Sequence, residues 1–331
     1  MRVLVTGAAG YIGSVAVEKL CDAGHDVVAA DSLWRGHRLA VDPRSAFRQV
    51  DLLDRSGVHD LIAANRPDAV LNFAAATLVG ESVDKPGEYM HANVVGGMNL
   101  LAAMQAHGVR SLVFSSTAAI YGEPDVVPIP EDASVAPINP YGLSKLVVEQ
   151  MLPWHAQRWG LRYASLRYFN VGGATAVHGE DHDPETHLIP MILFAVMGKR
   201  PTFRLFGTDY PTPDGTCIRD YVHVEDLIDA HLLALAKLEA GGEALGAYNL
   251  GSRDGFSVRQ VIEAVERVTG QKVPVEENPR RAGDPAALIA DSTRARTDLG
   301  WTPTRSTLDQ MVASAWEWFK AHPEGYASIT T

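Results

Sequence analysis

Read for the spacing of apolar and polar positions, the first half of the chain alternates between two patterns. Runs of consecutive apolar, often β-branched residues fall at 2–6, 26–31, 47–52, 69–74, 111–116 and 163–168, and each predicts a strand buried on both faces. Between them lie stretches of helical periodicity at 11–23, 56–65, 88–107 and 141–159, with Gly24 and Gly108 stopping the first and third. Buried strands separated by helices imply a parallel sheet covered on both sides, and right-handed crossovers make that an α/β, doubly wound fold. The second half is less regular. A helix is expected at 224–238 and a short strand at 248–250. Around them lie a polar stretch dense in His, Asp and Glu at 179–187, a turn-rich one at 206–215 and a Pro/Arg-rich one at 270–287.

Length and charge narrow this picture. At 331 residues the chain exceeds the roughly 250–300 at which a single core stops growing, so a sheet domain with a smaller, discontinuous second lobe is expected. Acidic residues outnumber basic ones 40 to 29, a net charge of −11, which argues against nucleic acid and against an anionic membrane surface as partners. A nucleotide ligand stays possible, because helix N-termini and a few arginines hold phosphate whatever the global charge. Two cysteines, Cys21 and Cys217, exclude a disulfide scaffold. No apolar run reaches the ~18 residues of a membrane span. Met1-Arg2-Val3-Leu4-Val5 runs into glycines that a fold would use, unlike a signal peptide, so a cytoplasmic chain is expected.

The candidate chemistry begins at those glycines. Gly7, Gly10 and Gly13 follow the first predicted strand and open the first helix, the setting of a dinucleotide-binding loop. Asp31 closes the next strand, where a carboxylate accepts hydrogen bonds from an adenosine ribose and repels a 2′-phosphate, so NAD is expected over NADP. Far downstream, Tyr141 and Lys145 stand four residues apart on a predicted helix, hence on one face. A phenol titrates near pH ~10, and a fixed cation nearby is expected to lower that value and make it a base. Thr117 lies just past a parallel strand, where its hydroxyl can hold a substrate alcohol and relay a proton towards Tyr141. A turn or N-cap hydroxyl is the plainer role for such a threonine.

The Gly-x-x-Gly-x-x-Gly spacing and the Tyr-x-x-x-Lys pair resemble the short-chain dehydrogenase/reductase superfamily. Over nearly its whole length the chain resembles the UDP-glucose (UDP-galactose) 4-epimerases of the extended branch. Asn72-Phe73-Ala74-Ala75 with Val79-Gly80-Glu81-Ser82 is similar to that family's loop under the nicotinamide. Leu166-Arg167-Tyr168-Phe169-Asn170 is similar to the strand that presents Phe169 to the cofactor and Asn170 to the diphosphate. Asp209-Tyr210-Pro211-Thr212-Pro213-Asp214-Gly215-Thr216, followed by Arg219-Asp220-Tyr221-Val222-His223, is the most specific stretch. The resemblance implies that Arg219 and Arg281 bind phosphate and that Asp284 binds the uridine ribose. It places Tyr11, Ile12, Asp51, Leu52, Asn93 and Ser115 at the NAD site, and Phe206, His187 and Leu188 at the sugar nucleotide. Its fold is an NAD-binding Rossmann domain, here 1–170 plus about 218–250, with a UDP-sugar lobe at about 171–217 and 251–331. Sugar-nucleotide 4,6-dehydratases, which also resemble this chain, carry an Asp-Glu pair after the threonine. Ala118 and Ala119 can move no proton, so dehydration is not expected.

Departures from the family pattern are Thr77 for a lysine, Thr117 for a serine, Val171-Gly172-Gly173 for a proline-bearing turn, and His187-Leu188 for Asn-Leu. Leu288 falls where the family carries tyrosine or cysteine, a position that gates N-acetylated sugars. The expected reaction is interconversion of UDP-galactose and UDP-glucose through a 4-keto sugar. A 4-epimerase of a UDP-N-acetylhexosamine or UDP-pentose, a net NAD-dependent dehydrogenase, and a non-catalytic dinucleotide sensor are the alternatives. Arg219 and Arg281 could instead pair with surface carboxylates. His178, His182 and His187, with no ligand pair at helical spacing, are expected in a solvated loop at the pocket rim that holds no metal. Leu146, Val147, Met151, Leu152 and Trp154 exceed one buried stripe, and a homodimer through the helices at 88–107 and 141–159 is expected.

Overall fold

The computed structural model describes residues 1–241, 243–281 and 284–328. Seven strands form the central sheet: β1 (Arg2–Thr6), β2 (Asp26–Asp31), β3 (Ala46–Gln49), β4 (Ala69–Asn72), β5 (Ser111–Thr117), β6 (Arg162–Tyr168) and β7 (Gly246–Leu250). Their order is β7-β6-β5-β4-β1-β2-β3, and every neighbouring pair is parallel. Strand order reverses between β1 and β4, which opens a crevice over their carboxyl ends. Thr6 Oγ1 donates to Asn72 Oδ1 at 2.9 Å and ties those two ends together.

Alternation along the strands sorts the core. Val3 and Val5 of β1 face the helices Tyr11–Asp22 and Val224–Gly241, while Leu4 faces Arg55–Asn65, Gly96–His107 and Pro140–Trp159. Both sets are fully buried, as the continuous apolar strands require. A further cluster, with Ile192, Val261, Met311 and Trp318 among its members, forms away from the sheet. The chain leaves the sheet after β6, builds part of this second body, and returns to lay β7 along the open edge of β6. Ala295, Leu299 and Trp301 then pack back onto the sheet's own core.

Several elements differ from the periodicity. The third strand ends at Gln49, because Asp51 accepts the Leu53 N–H at 2.9 Å and turns the chain; Asp51 and Leu52 therefore lie in a loop. The long helix expected at 88–107 splits into Pro86–Met90, a wide turn at His91–Val95, and Gly96–His107. The irregular second half is far more helical than expected, with helices Leu188–Val196, Val258–Thr269, Thr293–Leu299 and Leu308–Ala321. No helix among the described residues is long and apolar enough to cross a membrane.

Candidate active site

The glycine loop is compressed against the crevice. A Cβ on Gly7, whose φ is +73°, would stand 2.5 Å from Ala74 N, and one on Gly13 would stand 2.0 Å from Gly7 O. Only glycine lets β1 turn into the helix this close to the end of β4. Gly10 caps that helix without a side-chain hydrogen bond, so the first-turn N–H groups of Tyr11, Ile12 and Gly13 remain open to an anion. Asp31 faces the same loop. Its Oδ2 accepts from Ala9 N at 2.9 Å and its Oδ1 from Leu33 N at 2.8 Å, which orients the carboxylate and leaves lone pairs for a diol. Phe73, Ala74 and Ala75 follow β4 into the crevice. This cradle fits a dinucleotide.

Asn93 is a buried strut. Its Nδ2 donates to Ala76 O at 3.0 Å and to Ser144 Oγ at 2.8 Å, and its Oδ1 accepts from Ala76 N at 2.8 Å. The wide turn at His91–Val95 aims it inward, so one amide ties the loop after β4 to the helix Pro140–Trp159. Glu81 braces the same loop from outside, accepting from Tyr89 Oη at 2.8 Å and pairing with Arg35 at 2.6 Å; these contacts hold its carboxyl down at about 2.

Tyr141 and Lys145 occupy the first two turns of that helix, which Asn139 caps by accepting from Gly142 N at 2.8 Å. Lys145 is buried, and its Nζ donates to Ser115 O at 2.9 Å and sits over the Phe114 ring. Burial brings its ammonium down to about 7. Tyr141 packs beside Ala76, Leu78 and Tyr89. Burial pushes its phenol up, and a hydrogen bond with Thr117 opposes that rise. The expectation that Lys145 lowers Tyr141 thus needs correction: in this surround desolvation outweighs it, and the opposing contact comes from Thr117. Thr117 ends β5 and its Oγ1 accepts from Ala119 N at 3.1 Å, so it caps the turn Ala118–Ile120 and also meets Tyr141.

Beneath these groups lies a buried network for which the apolar pattern gave no cue. Arg167 pairs with Glu149, with Nε 3.0 Å from Oε1. Ser116 Oγ donates to Glu149 at 2.6 Å, Arg167 donates to Tyr121 Oη at 2.7 Å, and Tyr121 donates to Asn249 at 2.7 Å. It joins β5, β6, β7 and the Tyr141 helix. The signal available was Arg167, a charge inside a strand pattern that is otherwise buried on both faces. Tyr168, next along β6, hydrogen-bonds to His231, and the His231 ring stacks at a tilt 4.9 Å from Phe73.

Several of the expected substrate residues touch one another. Arg219 pairs with Asp284 and donates to Ile218 O at 2.7 Å; its carboxylate partner is itself an expected site residue and not an unrelated surface group. Arg281 lies 4.1 Å over the Phe206 ring. Leu288 pairs with Arg219 in register and packs near Phe169. Asn170 is exposed and pairs in register with Tyr221 in a short parallel ladder. His187 caps the helix that starts at Leu188.

The loop at 179–187 is solvated only in part: Asp183, Pro184 and Thr186 are exposed, while its glutamates turn inward. Glu180 and Glu185 are each 6% exposed, and His178 likewise 6%. His187 Nδ1 lies 2.7 Å from Glu180 and 2.8 Å from Glu185, and His182 Nδ1 lies 3.1 Å from Glu180. Burial alone would lower both imidazoles, yet the carboxylates override it; His182 rises to about 9. The charged residues fold onto one another, which sequence spacing does not reveal. Of the five expected interface residues, Leu146 and Leu152 are inside the chain's own core, whereas Trp154 is 72% exposed.

Known proteins bear on this geometry. A UDP-glucose 4-epimerase of Lactobacillus helveticus is 49% identical over 98% of this chain and 99% of its own. The crystal structure of a UDP-glucose 4-epimerase from Brucella ovis in complex with NAD superposes with a TM-score of 0.92 at 44% identity, covering 95% of this chain and 97% of that one. One from Bifidobacterium longum, in complex with NAD+ and UDP, gives 0.93 at 36% identity, covering 98% and 100%. Residues 3–251, from the glycine loop through Thr117, Tyr141 and Lys145 to the last strand of the sheet, match the NAD dependent epimerase/dehydratase family, and the chain belongs to that family.

Proposed function

We infer that the protein catalyses the NAD-dependent 4-epimerisation of a UDP-hexose, UDP-galactose to UDP-glucose, through a transient 4-keto sugar. The observation that carries this is the meeting of Thr117, at the end of β5, with the Tyr141 phenol, with Lys145 one turn along the same helix and the glycine loop at the end of β1. In support, relatives that span the whole chain at about half identity carry this activity in their names.

Gly7, Gly10, Tyr11, Ile12, Gly13 and Asp31 hold the dinucleotide, with Asp51, Leu52, Phe73, Ala74, Ala75, Asn93, Ser115 and Phe169 lining it. Bound NAD supplies a hydride acceptor and donor at sugar C4, and its oxidised ring is positively charged. Thr117 orients the 4-hydroxyl and Tyr141 takes its proton. That proton returns from Tyr141 once the keto sugar has turned over and regained hydride on its other face. Lys145, anchored on Ser115 O, fixes the helix face and adds its charge in the protonated form. Arg219, Arg281, Asn170 and Asp284 anchor the nucleotide diphosphate and ribose, while His187, Leu188 and Phe206 border the sugar. A tight hold on UDP leaves the hexose free to rotate.

Residues 1–170 with about 218–250 form the NAD-binding body in this reading, and about 171–217 with 251–331 the UDP-sugar lobe, with Thr293–Leu299 packed back onto the first. Met98, Leu143 and Trp154, exposed on the two helices, support a homodimer; light scattering that finds a monomer at micromolar concentration would refute it. The decisive experiment denatures the purified protein, assays released NAD, and follows UDP-galactose conversion without added cofactor. A Tyr141→Phe protein with full turnover would sink the assignment. Relative turnover on UDP-N-acetylhexosamines and UDP-pentoses ranks the sugars that Leu288 admits.

A further inference from the structure

Glu180, His182, Glu185 and His187 turn one ligand atom each into a common space, all within 4.8 Å of one another. We propose that they bind one divalent cation of borderline softness, with zinc the best match. Tetrahedral zinc with bonds of about 2.0–2.1 Å sets its ligand atoms roughly 3.3 Å apart. Glu180 Oε1 stands 2.7 Å from His187 Nδ1 and 3.1 Å from His182 Nδ1, and Glu185 Oε2 stands 3.6 Å from His182 Nδ1, separations that bracket that value. Both imidazoles present the same nitrogen to both carboxylates.

A second observation points to a missing partner. Glu185 Oε1 is saturated by the backbone N–H groups of Thr186 at 2.7 Å and His187 at 2.8 Å, and by the His187 ring. Its Oε2 has no hydrogen-bond partner, although the side chain is only 3% exposed; the His182 ring, 3.6 Å away, is an ion-pair neighbour beyond hydrogen-bond reach. A buried carboxylate oxygen left open costs free energy unless something cationic meets it. Two carboxylates balance a divalent charge once the cation has displaced the Nδ1 protons of both imidazoles. Two ring nitrogens select against magnesium and calcium, which take oxygen ligands in larger number.

The site would act as a clamp. His182 meets the Tyr11 ring edge-on at 6.3 Å, and Tyr11 Oη donates to Gly173 O at 2.5 Å. His187 opens the helix Leu188–Val196. A cation there joins the helix that follows the glycine loop to the helix that borders the sugar, with no part in the chemistry at C4.

The test uses the untagged full-length chain, stripped with chelator, equilibrated with zinc chloride, freed of excess metal by gel filtration, and analysed by elemental mass spectrometry. About one zinc per chain is expected, with magnesium and calcium retained below about 0.1 per chain. Cobalt(II) in place of zinc should give the intense visible absorption of a tetrahedral site. Glu185→Gln and His182→Gln should each lose the metal while keeping the wild-type circular dichroism. Below about 0.1 zinc per wild-type chain, an octahedral cobalt spectrum, or full retention by both variants overturns the proposal. The wild-type stoichiometry and cobalt spectrum decide even if a variant fails to fold.

Discussion

The Glu149–Arg167 pair sets the register of the Tyr141 helix against the strand that carries Thr117, so breaking it should cost stability and turnover together. Removing one partner of a buried ion pair strands the other charge, at about 3–5 kcal/mol. Arg167→Met leaves Glu149 with Ser116 Oγ, 2.6 Å away, as its remaining side-chain contact among those described. Glu149→Leu leaves Arg167 with the Tyr121 hydroxyl and Glu131 O, both at 2.7 Å, and falls at the low end of that range. The double variant abandons no charge, so its cost should undercut the sum of the singles by about 2 kcal/mol or more. Urea unfolding of the four proteins of this cycle, at one fixed excess of NAD because bound ligand adds to apparent stability, gives the numbers. Displacement of the helix by about 1 Å should lower kcat roughly 100-fold. Singles that add within about 0.5 kcal/mol, or an Arg167→Met cost below about 1 kcal/mol, would refute the reasoning.

Three further outcomes are expected. Gly13→Ala drives a methyl group to within 2.0 Å of Gly7 O and should abolish retained NAD, measured after denaturation; a protein that keeps stoichiometric cofactor contradicts the crowding argument. Thr117→Val removes the contact that opposes the rise of the Tyr141 phenol, so the acid limb of the kcat profile should move to higher pH and kcat at neutrality fall at least about tenfold; an unmoved limb argues against the contact. Lys145 ionises near 7 in the folded chain and near ~10.4 unfolded, so between those values the unfolded chain binds more protons and stability rises with pH. Lys145→Met lacks that slope: the stability difference, wild type minus variant, should climb by up to about 4 kcal/mol from pH ~7 to ~10, and a flat difference in urea midpoints would exclude the shift.

The sheet and its loop were legible because both are local. Continuous β-branched runs specify buried strands, and Gly7, Gly13 and Asp31 act within their own strand ends. The helix Val258–Thr269 was missed although its signals are local: Val258, Val261, Ile262 and Val265 share one face, Ser257 and Gln260 form a capping box, and Gly270 stops it. The state of Tyr141 was not legible, since desolvation depends on Ala76, Leu78 and Tyr89 arriving from another segment. Nor was the enclosure of Glu180 and Glu185. Spacing reports which face a residue takes on a helix or strand, and these lie on neither.

The late arrival of β7 carries a consequence for synthesis. β6 is complete at Tyr168, but the strand that covers its open edge begins at Gly246, roughly 80 residues later. At ribosomal rates of about 5–20 residues per second, that edge stays unpaired on the nascent chain for about 4–16 seconds. Its N–H and C=O row is then a template for any passing strand. Asn249, which receives the Tyr121 hydroxyl, arrives only with β7, so the polar scaffold under the site is assembled last. Slow release or chaperone cover during that interval protects the protein in a way that no stabilising substitution in the finished fold can replace.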